Sequence, residues 1–194
     1  MALVLSGDGT VTGLAVGGLP DGTVDSGTLA NASILPADMA NGGNKVLQVV
    51  NTQTGTLATG TTTTPIDNTI PQITEGTKFM TLAITPTSAT SKLKIEAVSL
   101  HGNIIANAQI TKALFVGTTA NALASCTCGN DGTVGRNTSS NTLVHTMTAG
   151  VTTELTFRIR IGSSSGTLTF NGHDGDQVYG GVAASSITIT EYEV

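Results

Sequence analysis

Apolar and polar residues alternate along much of the chain from about residue 46 onward. In TELTFRIRIG (153–162) every second side chain is apolar, which predicts a strand with one buried face. The apolar set is Leu155, Phe157, Ile159 and Ile161, and Thr156, Arg158 and Arg160 fall on the other face. Similar segments recur between clusters of turn-forming residues. The predicted strands are KVLQVVN, TLATGTTTTP, KFMTLAITP, KLKIEAVSLHGN, AQITKALFVG, ALASCTC, TLVHTMTA, TELTFRIRIG, TLTFNG and SSITITEYEV.

This pattern predicts an all-β fold. Thr, Val and Ile favour pleated strands because branching at Cβ restricts χ1. Many short strands with polar turns and no helical stretch indicate an antiparallel β-sandwich, and the jelly roll is the arrangement we favour. Few charges would leave the sheet edges poorly protected against association, so an oligomer is expected.

Two strands carry face assignments that the structure can test. In KLKIEAVSLHGN the apolar positions Leu93, Ile95 and Ala97 give way to Val98 and Leu100, and either a β-bulge or a second buried face would explain this shift. In the last strand Glu191 falls on the same face as Ile187 and Ile189. A strand at the end of the chain fits a domain whose terminus is tied into a sheet.

The chain divides into three regions by composition. Residues 1–45 are rich in glycine with isolated apolar residues, which is typical either of a flexible tail or of an extended stalk or anchoring segment that packs against copies of itself. Residues 46–70 are interpreted as a connecting strand and loop, and residues 71–194 as the sandwich. The polar loop ATGTTTTPIDNTIPQITEGTK, restricted by Pro65 and Pro71, is expected over a neighbouring subunit or along a sheet edge.

Composition argues against several classes of partner. The net charge of −5 and the scattered Lys and Arg residues argue against nucleic acid, which requires clustered positive charge. No apolar run approaches the roughly 20 residues of a membrane span, and MALVLSGDGTVTG lacks the features of a signal peptide. We therefore expect assembly in the cytoplasm and no membrane insertion.

The cysteines and histidines offer a weak case for a metal. Cys126 and Cys128 would share one strand face, and a bridge across so short a loop would be strained, so reduced thiols are expected. A zinc site would need two of His101, His145 and His173, with a CxC spacing in place of the common CxxC. We predict no metal and no cofactor.

A second cluster lies in TLTFNGHDGDQVYGGVAASSITITEYEV. His173, Asp174, Asp176 and Gln177 form a candidate partner-contact loop between two strands. Two carboxylates are too few for a calcium loop, whereas Asp and Gly suit a tight turn. The turn is therefore the favoured interpretation, with a metal or receptor loop as the alternative.

Catalysis is not expected. The carboxylates of the C-terminal region are isolated from one another, so no glycosidase-like pair is evident. There is no Trp, aromatic residues make up 3%, and no nucleophile-elbow, P-loop or dinucleotide motif occurs.

Two stretches carry a family resemblance. The opening MALVLSGDGTVTGLAVGGLPDGTVDSGTLA is similar to the start of tailed-bacteriophage fibre proteins. The segments IPQITEGTKFMTLAITPTSATSKLKIEAVSLHGN, ALFVGTTANALA, MTAG and TLTFNGHDGDQVYGGVAASSITITEYEV resemble a domain at the end of phage tail fibres and related virion proteins. In those relatives the loop between FNG and GG is small and neutral or basic, and here it is HDGDQVY.

The resemblance implies a homotrimeric virion protein without enzymatic activity. Its N-terminal segment would bind other virion proteins, and its C-terminal domain would contact a host surface receptor or glycan. The alternatives are a capsid decoration or head-fibre protein and, from another class, a secreted glycan-binding module. The missing signal peptide and missing Trp argue against the last.

Overall fold

A computed structural model describes residues 45–129 and 138–193, together with two short N-terminal strands, β1 (Val4–Leu5) and β2 (Val11–Thr12). The chain forms two compact units, Met1–Gly42 and Gly43–Val194. In the first unit β1 and β2 pair antiparallel, with Leu5 opposite Val11. The tail and stalk alternatives for residues 1–45 otherwise fall outside the described residues.

The second unit is built from antiparallel strands, and every predicted strand segment is present. Two short strands near residue 175 were not predicted. The strands are β3 (Val46–Thr54), β4 (Ala58–Gly60), β5 (Thr77–Ile84), β6 (Lys92–Asn103), β7 (Gln109–Val116), β8 (Ala124–Gly129), β9 (Thr138–Thr148), β10 (Leu155–Ser163), β11 (Leu168–Phe170), β12 (Gly172–His173), β13 (Asp176–Gln177) and β14 (Ser185–Tyr192). A 3-10 turn, Tyr179–Gly181, precedes β14.

These strands form two facing sheets with the topology of a jelly roll. One sheet has the order β5-β10-β7-β8. The other has β3-β14-β6, with β9 on the free edge of β6, and β11 and β4 continue it beyond the ends of β14 and β3. The orders β3-β14-β6-β9 and β5-β10-β7-β8 are those produced when two Greek keys fold into a double sheet. The predicted sandwich is confirmed.

Apolar residues from both sheets fill the space between them. Phe157, Ile159 and Ile161 are fully buried, as their alternation predicted. A register shift in the β10–β5 pair lets Phe79 stack on Phe170 of the opposite sheet, with ring centroids 4.7 Å apart and planes at 13°. Burying one such side chain stabilises the fold by about 1.5–3 kcal/mol, so this layer holds the two sheets together.

Strand β6 keeps one register throughout, so it has no bulge at Val98. Its pairing with β9 is unbroken from Lys92 to Gly102. The inner face of β6 changes character instead, from Leu93, Ile95 and Ala97 to the buried polar residues Ser99, His101 and Asn103. Val98 and Leu100 lie half-buried on the outer face. Of the two explanations offered for the shift, the unbroken register excludes the β-bulge, and the half-buried Val98 and Leu100 show that the outer face is partly covered.

Residues 46–70 belong to the sandwich, which therefore begins earlier than the expected residue 71. β3 and β4 are paired strands of one sheet. The polar loop that follows is hydrogen-bonded to its own domain, with Ala122 N donating to Pro71 O at 2.9 Å and Ile73 N donating to Ala120 O at 2.7 Å. Thr64 N donates to Ser163 O at 3.2 Å. These bonds hold the loop along its own sandwich.

Glu191 joins the last strand to the turn that precedes β6. Its carboxylate, 0% exposed, accepts hydrogen bonds from Gln48 Nε2 at 2.6 Å, from Thr87 N and Oγ1 at 2.8 Å, and from Ser91 Oγ. Burial alone would raise the pKa of Glu191. The hydrogen bonds from Ser91, Gln48 and Thr87 outweigh it and lower the pKa from 4.5 to about 2.

We predict that Glu191→Gln lowers the free energy of unfolding by about 3 kcal/mol at pH 7, because neutral hydrogen bonds replace charge-assisted ones. Since the pKa of Glu191 is depressed in the folded state, its contribution is present above pH 4.5 and is lost as the pH falls towards 2. Urea denaturation at several pH values should therefore show that the wild type loses stability between pH 4.5 and 2 and that the variant does not.

The matched control is Glu193→Gln. The Glu193 side chain is 58% exposed and lies 3.7 Å from Lys45 Nζ, so its replacement should cost less than about 0.5 kcal/mol. Equal losses in the two variants would contradict the role given to Glu191.

Candidate functional site

The sandwich has two distinct ends. The chain enters at Lys45 and its last strand finishes beside it, where Glu193 N donates to Lys45 O at 2.8 Å and Tyr192 pairs with both Val46 and Lys92. We call this the proximal end. From Lys92, β6 runs 12 residues, roughly 40 Å, to Asn103 at the distal end. A site at the distal end is therefore separated from the point where the chain enters by the full length of the domain.

A tight hairpin lies at the distal end. β12 and β13 pair antiparallel around Asp174 and Gly175, whose φ angles are 52° and 78°. Two successive positive φ values define a type I′ turn, for which Asp-Gly is a favoured sequence. Gly175 N donates to Thr169 Oγ1 of β11 at 2.9 Å, which fixes the turn against the sheet. The predicted turn at this sequence is confirmed.

Three of the predicted contact residues are on the surface and one is not. Asp174, Asp176 and Gln177 are exposed, whereas His173 is only 3% exposed. Because the hairpin folds back onto β11, the imidazole is enclosed, and neither of its ring nitrogens has a hydrogen-bond partner among the described residues. The expectation that His173 takes part in a surface contact is therefore corrected.

A cavity of about 240 Å³ lies under the hairpin turn. Its lining consists of Thr59, Ile104, Thr167, Thr169, Asp174 and Gly175. Thr59 and Thr169 are brought together by the pairing of β4 with β11. Hydroxyl groups, one carboxylate and the 46%-exposed Ile104 can together contact a small ligand with hydroxyl or ammonium groups beside an apolar face.

Sequence reasoning identified Asp174 but not the threonines or Ile104. Asp174 stands out locally because an Asp-Gly turn is recognisable from two residues. The other lining residues come from three separate segments that meet only through long-range strand pairing. No short motif marks them.

A second group of chemically active residues lies inside the distal half of the sandwich. We call Lys112, Cys126, Cys128, His101 and Asn141 the interior cluster. Lys112, 0% exposed, reaches across from β7 and its Nζ donates to Ala97 O at 3.1 Å and to Asn141 O at 2.6 Å. Cys126 is directly opposite Lys112 in the β7–β8 pair, and Asn141 Nδ2 donates to Cys126 Sγ at 3.4 Å.

His101 completes the cluster. Its Nε2 lies 3.2 Å from Asn141 Oδ1 and 4.0 Å from Cys128 Sγ. A carboxamide oxygen only accepts hydrogen bonds, so Nε2 is the protonated nitrogen and donates to Asn141. His101 thus holds the Asn141 side chain in place.

Burial sets the protonation states in the cluster. It lowers the pKa of His101 to about 4, against the opposing effect of the Asn141 hydrogen bond. Burial also lowers the pKa of Lys112 to about 8, against the opposing effect that Cys126 and Cys128 would have as thiolates. The pKa of each thiol is raised by burial. At pH 7 the imidazole is therefore neutral and the thiols are protonated.

The two cysteines are free and their side chains fall on one face of β8. Within residues 45–129 and 138–193, no three or more His, Cys, Asp and Glu side chains come together in a way that could hold a metal ion. In the same residues no helix is long and apolar enough to cross a membrane.

Comparison with known proteins gives no family. No protein-family model and no curated protein matches the chain. Among solved structures, that of the infectious bursal disease virus Gx strain is similar over 76% of this chain and 37% of that one, with 11% identity and a TM-score of 0.35. The crystal structure of the infectious bursal disease virus VP2 subviral particle is similar over 76% of this chain and 38% of that one, with 10% identity and a TM-score of 0.35.

A third similar structure is the enzymatically active domain of tailspike protein 4 of bacteriophage CBA120. It covers 63% of this chain and 18% of that one, at 18% identity and a TM-score of 0.27. The chain thus spans well under half the length of these structures. At TM-scores this low, the similarities carry no argument about function.

We predict that Gly175→Ala destabilises the protein by about 1 kcal/mol, because φ of 78° is strained for an L side chain while no atom obstructs a Cβ there. Gly129→Ala is the control: the space around it is equally open, but its φ is not positive, so the change should be neutral or slightly stabilising. Thermal unfolding distinguishes the two, and matching effects would contradict the turn assignment.

We predict that the His101 imidazole titrates near pH 4 in the folded protein, and near 6.5 in concentrated urea, where burial is lost. Because the pKa is lower in the folded state, stability decreases as the pH falls from 6.5 towards 4. NMR of the ring nitrogens measures both values. A folded-state midpoint close to 6.5 would show that His101 is solvated.

Proposed function

We propose that this protein is a structural virion protein of a tailed phage, a short trimeric fibre whose jelly roll is displayed towards the host surface. The observation that carries the proposal is that the entry point of the chain and the candidate site lie at opposite ends of the domain. The chain enters at the proximal end, at Lys45, and the Asp174 hairpin with its cavity occupies the distal end. An anchoring segment before residue 45 would thus present the hairpin outward.

The resemblance of the sequence to phage fibre proteins supports the same proposal. It spans the opening residues, which would attach to other virion proteins, and about residues 70–194, which form most of the sandwich. A jelly roll is used by viral structural proteins and also by lectins and cupins, so the fold is compatible with this role without requiring it.

Adhesion is the mechanism that the distal site would serve. The cavity is small, and one such contact would be weak. Many copies on one particle would convert weak contacts into firm attachment through effective concentration. Catalysis is not part of this role.

A trimer would also account for the surface. The side chains of Val46, Val49 and Val144 are 49%, 56% and 51% exposed, and only 11% of the residues are charged. Self-association would bury such residues and protect sheet edges.

We predict that the purified full-length protein has the mass of a trimer in light scattering and competes with virions for adsorption to host cells. Asp174→Ala should weaken this competition by about tenfold or more, because each copy loses the carboxylate of the distal cavity. Glu154→Ala, which removes an exposed carboxylate at the proximal end, should leave it unchanged.

Antibody labelling of virions would then locate the protein. Label on the tail supports the fibre, whereas label on the capsid shell would identify the decoration or head-fibre alternative. A monomer at micromolar concentration that fails to compete would contradict the proposal.

A further inference from the structure

Lys112 is a buried charge with no counter-ion among residues 45–129 and 138–193. Its side chain is 0% exposed, and its described hydrogen bonds go only to the carbonyl oxygens of Ala97 and Asn141. Among the described residues no carboxylate forms an ion pair with it. A buried ammonium group satisfied only by carbonyl oxygens is costly, because neutral dipoles replace its hydration shell incompletely. A reaction that removed this charge would therefore relieve a strain of the fold.

Asn141 supplies a reaction partner beside the amine. Lys112 extends from β7 towards β9 and contacts the backbone oxygen of Asn141 at 2.6 Å. The Asn141 side chain extends in the opposite direction, and its Nδ2 reaches Cys126, which is paired with Lys112. The amine therefore lies beside the backbone of Asn141, and the carboxamide lies beside the strand partner of Lys112.

The carboxamide is also polarised. His101 Nε2 donates to Asn141 Oδ1 at 3.2 Å, which draws electron density from the carboxamide carbon. His101 itself is 0% exposed, and its Nδ1 has no partner among the described residues. The buried imidazole can thus stabilise negative charge on Oδ1.

We propose that Lys112 and Asn141 join in an intramolecular isopeptide bond. The neutral Nζ attacks Cγ of Asn141, and the hydrogen bond from His101 stabilises the charge that develops on Oδ1. The bond from Cγ to Nδ2 then breaks, Nδ2 leaves as ammonia with a proton from Nζ, and a secondary amide remains. No oxidant, cofactor or second substrate is consumed.

The electrostatics of the cluster suit this reaction. With the pKa of Lys112 near 8, about a tenth of the amine is neutral at pH 7, compared with far less for an exposed lysine. Within the part of the chain that the structure describes, the ionisable groups that face Lys112 are Cys126, Cys128 and His101, and all three are neutral at that pH. The fraction of neutral amine, and with it the reaction rate, should therefore rise as the pH increases from 7 towards 8.

The bond would cross the sandwich. β7 belongs to one sheet and β9 to the other, so the two sheets would be tied covalently within the polar distal half of the interior. There the inner face of β6 carries Ser99, His101 and Asn103 in place of apolar residues, and a covalent link would add to the packing of Phe170 and Leu168 beside it. Such a link would also resist the opening of β9 from the edge of its sheet.

The direct test is the intact mass of the denatured full-length protein after incubation at pH 8 with a reducing agent. We expect the mass calculated from the sequence less one ammonia. After trypsin digestion, the peptide that contains Lys112 should be linked to residues 137–158, which contain Asn141, and cleavage after Lys112 should be lost.

Variants separate this bond from other reactions. Lys112→Met and Asn141→Ala should each retain the full mass expected from their sequences, His101→Phe should slow the loss of ammonia, and Lys94→Arg on the outer face should lose ammonia like the wild type. The wild-type mass and peptide map decide the question even if a variant does not fold.

An unchanged wild-type mass would overturn the proposal. A loss of two hydrogens that the reducing agent reverses would indicate a disulfide and would also overturn it. A loss of ammonia without a linked peptide would likewise overturn the proposal, because formation of a succinimide at another asparagine also releases one ammonia.

Discussion

Strand β6 is the element on which the rest of the structure depends, because it pairs along its whole length with β9 and presents one unbroken inner face to the opposite sheet. The proximal half of that face is apolar, and dispersion and hydrophobic burial hold the sheets together there. The distal half is polar, and hydrogen bonds such as Asn103 Nδ2 to Ser163 Oγ at 2.7 Å replace them. One strand thus gives the domain a stable end and a chemically distinctive end.

Both groups of candidate residues lie at or towards the distal end for this reason. The hairpin is fixed on β11, which continues the sheet along β6, and the interior cluster lies against the polar inner face of β6. The proximal end is closed by Glu191, whose carboxylate is satisfied by five hydrogen-bond donors from β3 and from the turn before β6. The two ends of the domain therefore differ in their chemistry.

The features of the fold that depend on local periodicity and turn chemistry could be predicted from the sequence. The inner face of β10 and the Asp-Gly turn follow from alternation and from the φ preferences of neighbouring residues. The interior cluster did not follow, because Lys112 and His101 resemble surface residues when burial is inferred from hydrophobicity. The cavity threonines were missed because they meet through pairing between distant segments. His173 was assigned to the surface because the folding of its hairpin onto β11 has no local signal.

In the proposed virion, the distal end of the jelly roll faces away from the particle. Electron cryomicroscopy of the intact virion, at a resolution that separates the strands, measures this orientation directly. The account predicts that Lys45 and Tyr192 lie nearest the particle and that the hairpin at Asp174 is the outermost part of the domain. A hairpin buried against the virion, with the proximal end exposed to solvent, would contradict it.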